Sequence, residues 1–270
     1  MNRAGVAAAA AARLREQAAA IAKHADGEPG PDTLHDLRVA CRRLETALRL
    51  WARGAAARAA RSRARAIRRA VGPARDHEVL CGMLRARRLG AGLVPAPLRR
   101  AWLVRLEDAP ASARQEALPG PRSVAALQKR VARVALDVER AHGLEQHANE
   151  RLRRWRKVGR ARLAEALESG EPAALHRARL ALRRWRYAEE ARATVARGRS
   201  RAPRAALRRW QRALGRLHDR ASLIEFVAGA GTEARRWVPR LEAQRRKALG
   251  ALRRHRAALV SPPRARSRLA

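Results

Sequence analysis

Apolar residues recur at helical spacing along almost the whole chain. In the segment 34–51, Leu37, Leu44 and Trp51 share one face, and the segment 122–138 shows the same spacing. No segment alternates between apolar and polar residues with the period of two that is typical of a strand. The pattern therefore predicts an all-α protein built of amphipathic helices.

Segments containing glycine and proline divide this pattern into successive helices. We predict helices over residues 4–25, 32–53, 55–71, 74–89, a stretch after Pro97, residues from Arg122 onward, 145–168, 173–196, 203–215, a shorter helix ending near 228, and 231–257. Asp32 and Thr33 stand at the N-cap of the second helix, and Gly54 stands just beyond its end. Residues 110–121 are predicted to form a loop, and residues 259–270 a basic, disordered tail.

The second helix has a duplicate later in the chain. Within the segment 34–50, LHDLRVACRRLETALRL, residues 34–47 align without a gap with residues 175–188, LHRARLALRRWRYA, at an offset of 141. A second motif follows each copy: AVGPARDHEVL at residues 70–80 and ALGRLHDRASL at residues 213–223, at an offset of 143. Two matches at nearly one offset indicate an internal duplication. We therefore expect two helical-bundle halves, residues 1–142 and 143–258, related by approximate two-fold symmetry.

Each repeated helix carries basic residues beside its apolar face. The first basic row is His35, Arg38, Arg42, Arg43 and Arg49, and the second basic row is His176, Arg179, Arg183, Arg184 and Arg186. Arg43 and Arg184 lie about 80° from the centre of their rows, whereas the rest of the first row spans about 60° and about 21 Å. A solvated helix face would explain one row. A solvated face does not explain why arginines stand at the same distances from a histidine in both copies. We therefore take the residues of both rows as candidate phosphate-binding residues.

The composition adds a large excess of positive charge, +38, from 62 basic and 24 acidic residues. Only four of the basic residues are lysines, and the planar fork of arginine binds phosphate oxygens in pairs. A GC-rich genome would enrich alanine and arginine, but it does not readily explain the imbalance between basic and acidic residues. Such a charge opposes compaction unless an anion neutralises it, so we expect a polyanionic partner.

The two cysteines and the absence of long apolar runs indicate where in the cell the protein is located. Cys41 and Cys81 lie on apolar faces without metal-ligand spacing, which predicts free core thiols in a reducing compartment, the cytoplasm. No run of about 18 apolar residues is present, so no membrane-spanning helix is expected. Residues 6–12 are apolar but too short, and an alanine-rich first helix is favoured over a signal peptide. No cofactor is predicted, and the pattern does not indicate an oligomeric state.

The paired LHxxRxAxRR-type segments, each followed about 40 residues later by an LGxxxD-type turn, resemble the CHAD domain, the conserved histidine α-helical domain. The resemblance covers roughly residues 4–258. It implies two four- to five-helix bundles about a pseudo-two-fold axis, a basic central cavity, and binding of inorganic polyphosphate, with polyphosphate granules as an associated location. The family often adds a triphosphate-tunnel (CYTH) domain. No ExExK signature of that domain is present, so we expect a stand-alone module.

The chain departs from this family pattern at two acidic residues. Glu45 stands where the second copy has Arg186, at a position where the family usually places a base, and Glu190 stands opposite Arg49. We expect these carboxylates either to pair across the symmetry axis or to weaken one side of the site.

The histidines at the head of each row have more than one interpretation. His35 and His176 lie near helix N-termini, where exposed amides favour anions, so we interpret them as phosphate contacts. Helix packing, metal ligation and phosphate transfer are the alternatives. Neither histidine has a carboxylate or a second histidine at i+3 or i+4, which disfavours a metal site. Asp76 and Asp219 are predicted to cap a helix or to lock a turn between helices.

Three functions remain open. The favoured one is non-enzymatic binding of polyphosphate. The others are nucleic-acid binding, which at this charge is expected at least non-specifically at low salt, and a histidine-dependent enzyme of phosphate metabolism. Aromatic residues make up 3% of the chain, and Trp51, Trp185 and Trp210 are predicted to be buried, which disfavours base stacking. No carboxylate cluster suited to metal-dependent catalysis is apparent, so no enzyme is expected.

Overall fold

The protein is all-α, as predicted. The computed structural model describes residues 3–26, 32–85, 94–107, 117–195 and 201–254, and in these ranges it contains eleven helices and no strand. The helices are α1 (Arg3–Asp26), α2 (Thr33–Trp51), α3 (Gly54–Ala70), α4 (Gly72–Arg85), α5 (Ala96–Glu107), α6 (Pro121–Glu139), α7 (Leu144–Ser169), α8 (Pro172–Val195), α9 (Arg201–Gly229), α10 (Thr232–Arg235) and α11 (Val238–Arg254).

Two predicted helix boundaries are wrong. The predicted helix 203–215 and the shorter helix after it, ending near 228, are one helix, α9. The residue after Gly215 is Arg216, and unlike proline it has a backbone N–H for the helical hydrogen bond, so the helix continues. The predicted single helix 231–257 is two helices, α10 and α11, because Pro239 cannot donate to the preceding turn and its ring clashes with the carbonyl four residues earlier. Much of the predicted loop at 110–121 and the whole tail 259–270 lie outside the described residues.

The helices belong to two compact units. The N-terminal unit comprises the described residues up to 153 together with 187–195, and the C-terminal unit comprises 154–186 and 201–254. Helices α7 and α8 thus contribute residues to both. The predicted halves 1–142 and 143–258, their two-fold relation and the basic central cavity stay predictions.

In the N-terminal unit, α1, α2, α3 and α6 form a four-helix bundle. Helix α1 packs against α2 and α6, and α3 packs against the same two helices. The amphipathic pattern directs Leu37, Leu44 and Leu48 of α2 into this core, where each is fully buried. Helix α4 lies outside the ring and packs against α2, α3 and α5, which brings the second motif next to the first.

In the C-terminal unit, residues of α7, α8, α9 and α11 pack together. A Cβ atom at Gly159 of α7 would lie 3.0 Å from the ring of Trp185 of α8, so a larger residue there would require the ring to shift by a few tenths of an ångström. Arg253 of α11 donates to the backbone oxygens of Leu167 and Glu168, at 2.6 and 2.9 Å, and so satisfies carbonyl groups at the end of α7. The core tryptophans Trp185 and Trp210 are buried, as predicted.

Candidate anion-binding site

Helix α2 presents the first basic row on the flank beside its buried face. The chain enters the helix at Asp32, the predicted N-cap residue, but the Asp32 side chain accepts no capping hydrogen bond. Gly54, with φ of +83°, is the first residue of α3 and lies two residues beyond the C-cap Ala52. Of the first row, His35 and Arg43 are exposed and Arg38, Arg42 and Arg49 are partly buried. The row is therefore accessible along its length.

Arg38 connects α2 to the second sequence motif. Its Nη1 donates to the backbone oxygen of Gly72 and to Oδ1 of Asp76, both at 2.9 Å. The Arg38 side chain is 15% exposed, whereas that of Asp76 is 74% exposed. Asp76 was predicted to cap a helix or to lock a turn between helices, and its contact in the structure is an ion pair that joins α4 to Arg38 of α2.

His35 lies among cationic groups. Burial by the surrounding protein lowers its pKa below the usual 6.5, and the neighbouring Arg75 and Arg42 lower it further, although Asp36 and Asp32 oppose them. A positively charged imidazole is disfavoured there because two guanidinium groups already supply positive charge. His35 is therefore neutral at pH 7, and it is placed beside two permanent cations.

The two acidic departures have partners inside the N-terminal unit. Glu45 accepts from Nε of Arg68 at 2.8 Å and lies 3.7 Å from Nε of Arg65, both on α3. Glu190 lies 3.9 Å from Nε of Arg43, and the guanidinium carbon of Arg43 lies 5.8 Å from the centroid of the Tyr187 ring. Glu45 and Glu190 thus neutralise nearby arginines. One of these arginines, Arg43, is among the five candidate residues of the first row.

Helix α3 carries a basic face that the sequence analysis did not identify. Its arginines at i, i+3, i+7 and i+10 lie on one side of the helix: Arg58, Arg61, Arg65 and Arg68. Burial lowers the pKa of Arg61, and so do the nearby guanidinium groups of Arg49 and Arg151. The spacing was visible in the sequence, but the convergence with Arg49 of α2 required the tertiary structure.

In the C-terminal unit an arginine of the second row also lies near the motif glycine. A Cβ atom at Gly215 would lie 3.9 Å from Nε of Arg179, whereas a Cβ atom at Gly72 would meet nothing within 4 Å and Arg38 instead donates to the backbone oxygen of that glycine. His176 and His218 lie with their ring centroids 5.1 Å apart and their planes at 58°. In the rest of the second row Arg184 is exposed, and Arg183 and Arg186 are partly buried.

Two residues of the candidate site were therefore missed from the sequence. Arg75 stands beside His35 and His218 stands beside His176, and the two align with each other in the second motif, directly before Asp76 and Asp219. Their alignment was available in the sequence. Their proximity to the histidines was not, because it depends on how α4 and α9 pack.

Side chains suited to metal binding do not cluster in the described ranges: no group of three or more His, Cys, Asp or Glu residues there could hold an ion. Over the same residues, no helix has the length and apolar character needed to cross a bilayer. Cys41 and Cys81 are free and buried, as predicted.

Comparison with known proteins relates this arrangement to one family. The family model described as CHAD domain matches residues 12–228. Among solved structures, the crystal structure of the CHAD domain from the plant Ricinus communis is similar, with a TM-score of 0.72 and 26% sequence identity over 94% of this chain and 92% of that one. No curated protein matches the chain.

Proposed function

Because the chain belongs to the CHAD family, we propose that it binds inorganic polyphosphate through the arginine and histidine side chains of the first and second basic rows. Polyphosphate is a thin, flexible polyanion with a negative charge on each phosphate. Arginine forks donate two hydrogen bonds to such a group, and a charge-assisted bond is about twice as strong as a neutral one. A row of arginines along a helix therefore suits successive phosphates.

The observation that supports the proposal is that an arginine of each row lies at the glycine of the following motif. Arg38 donates to the backbone oxygen of Gly72, and Nε of Arg179 lies 3.9 Å from where a Cβ atom at Gly215 would be, in two copies that have diverged at most other positions. In the N-terminal unit, Arg75 of α4, which also pairs with Glu78 at 2.9 Å, is the cation from a second helix that neighbours His35. Each site thus draws its charges from two helices.

Within the first row, the residues contribute differently. Arg38 is committed to Asp76 and Gly72, so it acts mainly by holding α4, and with it Arg75, against α2. Arg42 and Arg49 line the flank of α2, and Arg49 meets Arg61 of α3. Phosphates bound along this flank relieve the mutual repulsion of these guanidinium groups.

We further propose that binding is not coupled to catalysis. Three of the carboxylates near the first row, Asp76, Glu45 and Glu190, are each paired with an arginine, which leaves them poorly suited to hold a metal or to act as a base. Incubation with polyphosphate, ATP or tripolyphosphate and Mg²⁺ or Mn²⁺ is expected to release no phosphate above background. In the cell, this function is expected in the cytoplasm, at polyphosphate granules.

Competition between long-chain polyphosphate and duplex DNA tests the proposal. At about 150 mM salt, non-specific DNA binding has a dissociation constant of only about 10⁻⁴–10⁻⁶ M, so polyphosphate is expected to displace a labelled duplex at far lower phosphate concentration than unlabelled duplex does. Equal displacement by the two polyanions, measured per phosphate, would contradict a polyphosphate site and favour general attraction by the net charge.

A further inference from the structure

The two histidines of the C-terminal unit form a close pair at the candidate site. His176 of α8 is exposed, His218 of α9 is partly buried, and their ring centroids are 5.1 Å apart. One turn further along α8, Arg179 passes over Gly215, which lies one turn before His218 on α9. Two imidazoles and a guanidinium are thus gathered over the same part of α9.

The corresponding place in the N-terminal unit holds a permanent cation. Arg75 aligns with His218, and it lies close enough to His35 to lower the pKa of that histidine, after the larger effect of burial. The first copy therefore combines one imidazole with a guanidinium that is charged at every accessible pH. The second copy combines two imidazoles, a side chain whose ordinary pKa lies close to physiological pH.

Charged residues flank the pair on its own two helices. Within about one turn of the two histidines these are Arg177 and Arg179 of α8 and Arg216, Asp219 and Arg220 of α9. Glu165 accepts from Arg162 and Arg177, both at 2.7 Å, and Arg253 donates to backbone oxygens of α7. The remaining charges near the pair are predominantly positive, so an anion there meets little opposing carboxylate.

We propose that His176 and His218 make polyphosphate binding by the C-terminal unit proton-dependent, with affinity rising as pH falls, whereas the N-terminal unit binds with largely fixed charge. This inference rests on the proposed function. Two protonated rings 5.1 Å apart repel each other, and a phosphate beside them removes that repulsion. The complex therefore holds more protons than the free protein, and by linkage acidification strengthens binding.

Titration of affinity against pH tests the proposal. We would measure binding of long-chain polyphosphate, in which chain ends are few, from about pH 5.5 to about pH 8.5 at constant ionic strength, a range that brackets the imidazole value near 6.5. If binding raises the pKa of each ring by one unit, affinity increases about tenfold per histidine from the basic to the acidic end. His218→Arg gives the second copy the residue of the first and is expected to bind at pH 8.5 more tightly than the wild type, with a shallower pH dependence.

The reciprocal variant Arg75→His is the matched control. It removes the fixed cation of the first copy, so it is expected to weaken binding at pH 8.5 and to steepen the pH dependence. Circular dichroism establishes that each variant retains its helical content. Equal pH dependence in the wild type and in His218→Arg would overturn the proposal.

Proton uptake provides a measurement that needs no variant. Calorimetric titration of the wild type near pH 6.5, in two buffers of different ionisation enthalpy, is expected to show net proton uptake on binding of polyphosphate. Tight binding without proton uptake would contradict the proton dependence and leave the proposed function intact. Absence of polyphosphate binding at every pH would contradict the proposed function itself.

Discussion

The two copies of the second motif are built differently around the same glycine. In the N-terminal unit the chain ends α3 at Ala70 and starts α4 at Gly72, followed by Pro73, whereas in the C-terminal unit α9 continues unbroken through Gly215 and Arg216. Proline lacks the N–H and clashes with the preceding turn, and arginine does neither. Arg38 nevertheless donates to the backbone oxygen of the first glycine, and Arg179 lies near the second. An arginine of the row therefore lies near the glycine with or without a break in the helix.

The charges around the two glycines differ as well. The first copy has Glu45 and Arg75 where the second has Arg186 and His218. Glu45 binds Arg65 and Arg68 of α3, so the first copy offsets part of its surplus charge with a neighbour. The second copy has Arg186 at that position, Glu190 opposite Arg49, and a histidine, His218, opposite Arg75. The two copies thus share the histidine, the row arginine and the motif glycine, but they differ in the charged residues around them.

The largest effect is expected from transferring the proline of the first copy to the second. Arg216→Pro removes a backbone donor inside α9 and introduces a clash with the preceding turn, which should lower the free energy of unfolding by about 3 kcal/mol or more. Arg216→Ala is the control, and because Arg216 is exposed it should change stability by less than about 0.5 kcal/mol. Thermal and urea unfolding followed by circular dichroism measure both. If Arg216→Pro is as stable as Arg216→Ala, the continuity of α9 has no structural importance.

A smaller effect is expected from removing the acid that distinguishes the first copy. The Glu45 side chain is 12% exposed, and Glu45→Gln leaves Arg65 and Arg68 facing each other without a counter-charge. We expect a loss of about 1–3 kcal/mol of unfolding free energy, together with tighter polyphosphate binding, because two guanidinium groups become available.

Glu233→Gln is the control for that variant. Glu233 pairs with Arg236 at 2.9 Å, but its side chain is 79% exposed, so its loss should change stability by less than about 1 kcal/mol. Calorimetric binding and thermal unfolding distinguish the two variants. Weaker polyphosphate binding by Glu45→Gln would mean that Glu45 positions the arginines for the ligand rather than neutralising them.

Much of this organisation was predictable because it depends on local sequence. The apolar period predicted most of the helices, whereas the equivalence of His35 and His176 that the offset of 141 residues indicates stays a prediction. The errors lie where one backbone donor decides the outcome, as at Arg216 and Pro239. The spacing of apolar residues does not depend on whether one residue has a backbone N–H, so it does not show where a helix continues or breaks.

The partners of the rows could not be predicted in the same way. Arg75 and His218 approach the histidines only because α4 packs on α2 and α9 packs on α8. Glu45 was expected to act across the two halves or to weaken the site, and its contacts are instead with the neighbouring helix α3. The contacts between charged residues depend on the tertiary structure, because they join residues 23 or more positions apart in the chain.

The central claim is that the basic rows, rather than the net charge of +38, bind polyphosphate. Its most direct test compares double variants that remove the same charge from different places. Arg38→Gln with Arg42→Gln and Arg179→Gln with Arg183→Gln remove two charges from the rows. The controls, Arg130→Gln with Arg133→Gln on α6 and Arg208→Gln with Arg212→Gln on α9, remove two charges from exposed positions in the N-terminal and C-terminal units.

The measurement is the affinity for long-chain polyphosphate, with its dependence on salt. Since a hydrogen bond to a charged group contributes about 1.5–3 kcal/mol, each row variant is expected to bind at least about tenfold more weakly and to show a shallower slope of log affinity against log salt. The control variants should bind within about threefold of the wild type. Equal losses in row and control variants would contradict the account, because binding would then follow the net charge alone.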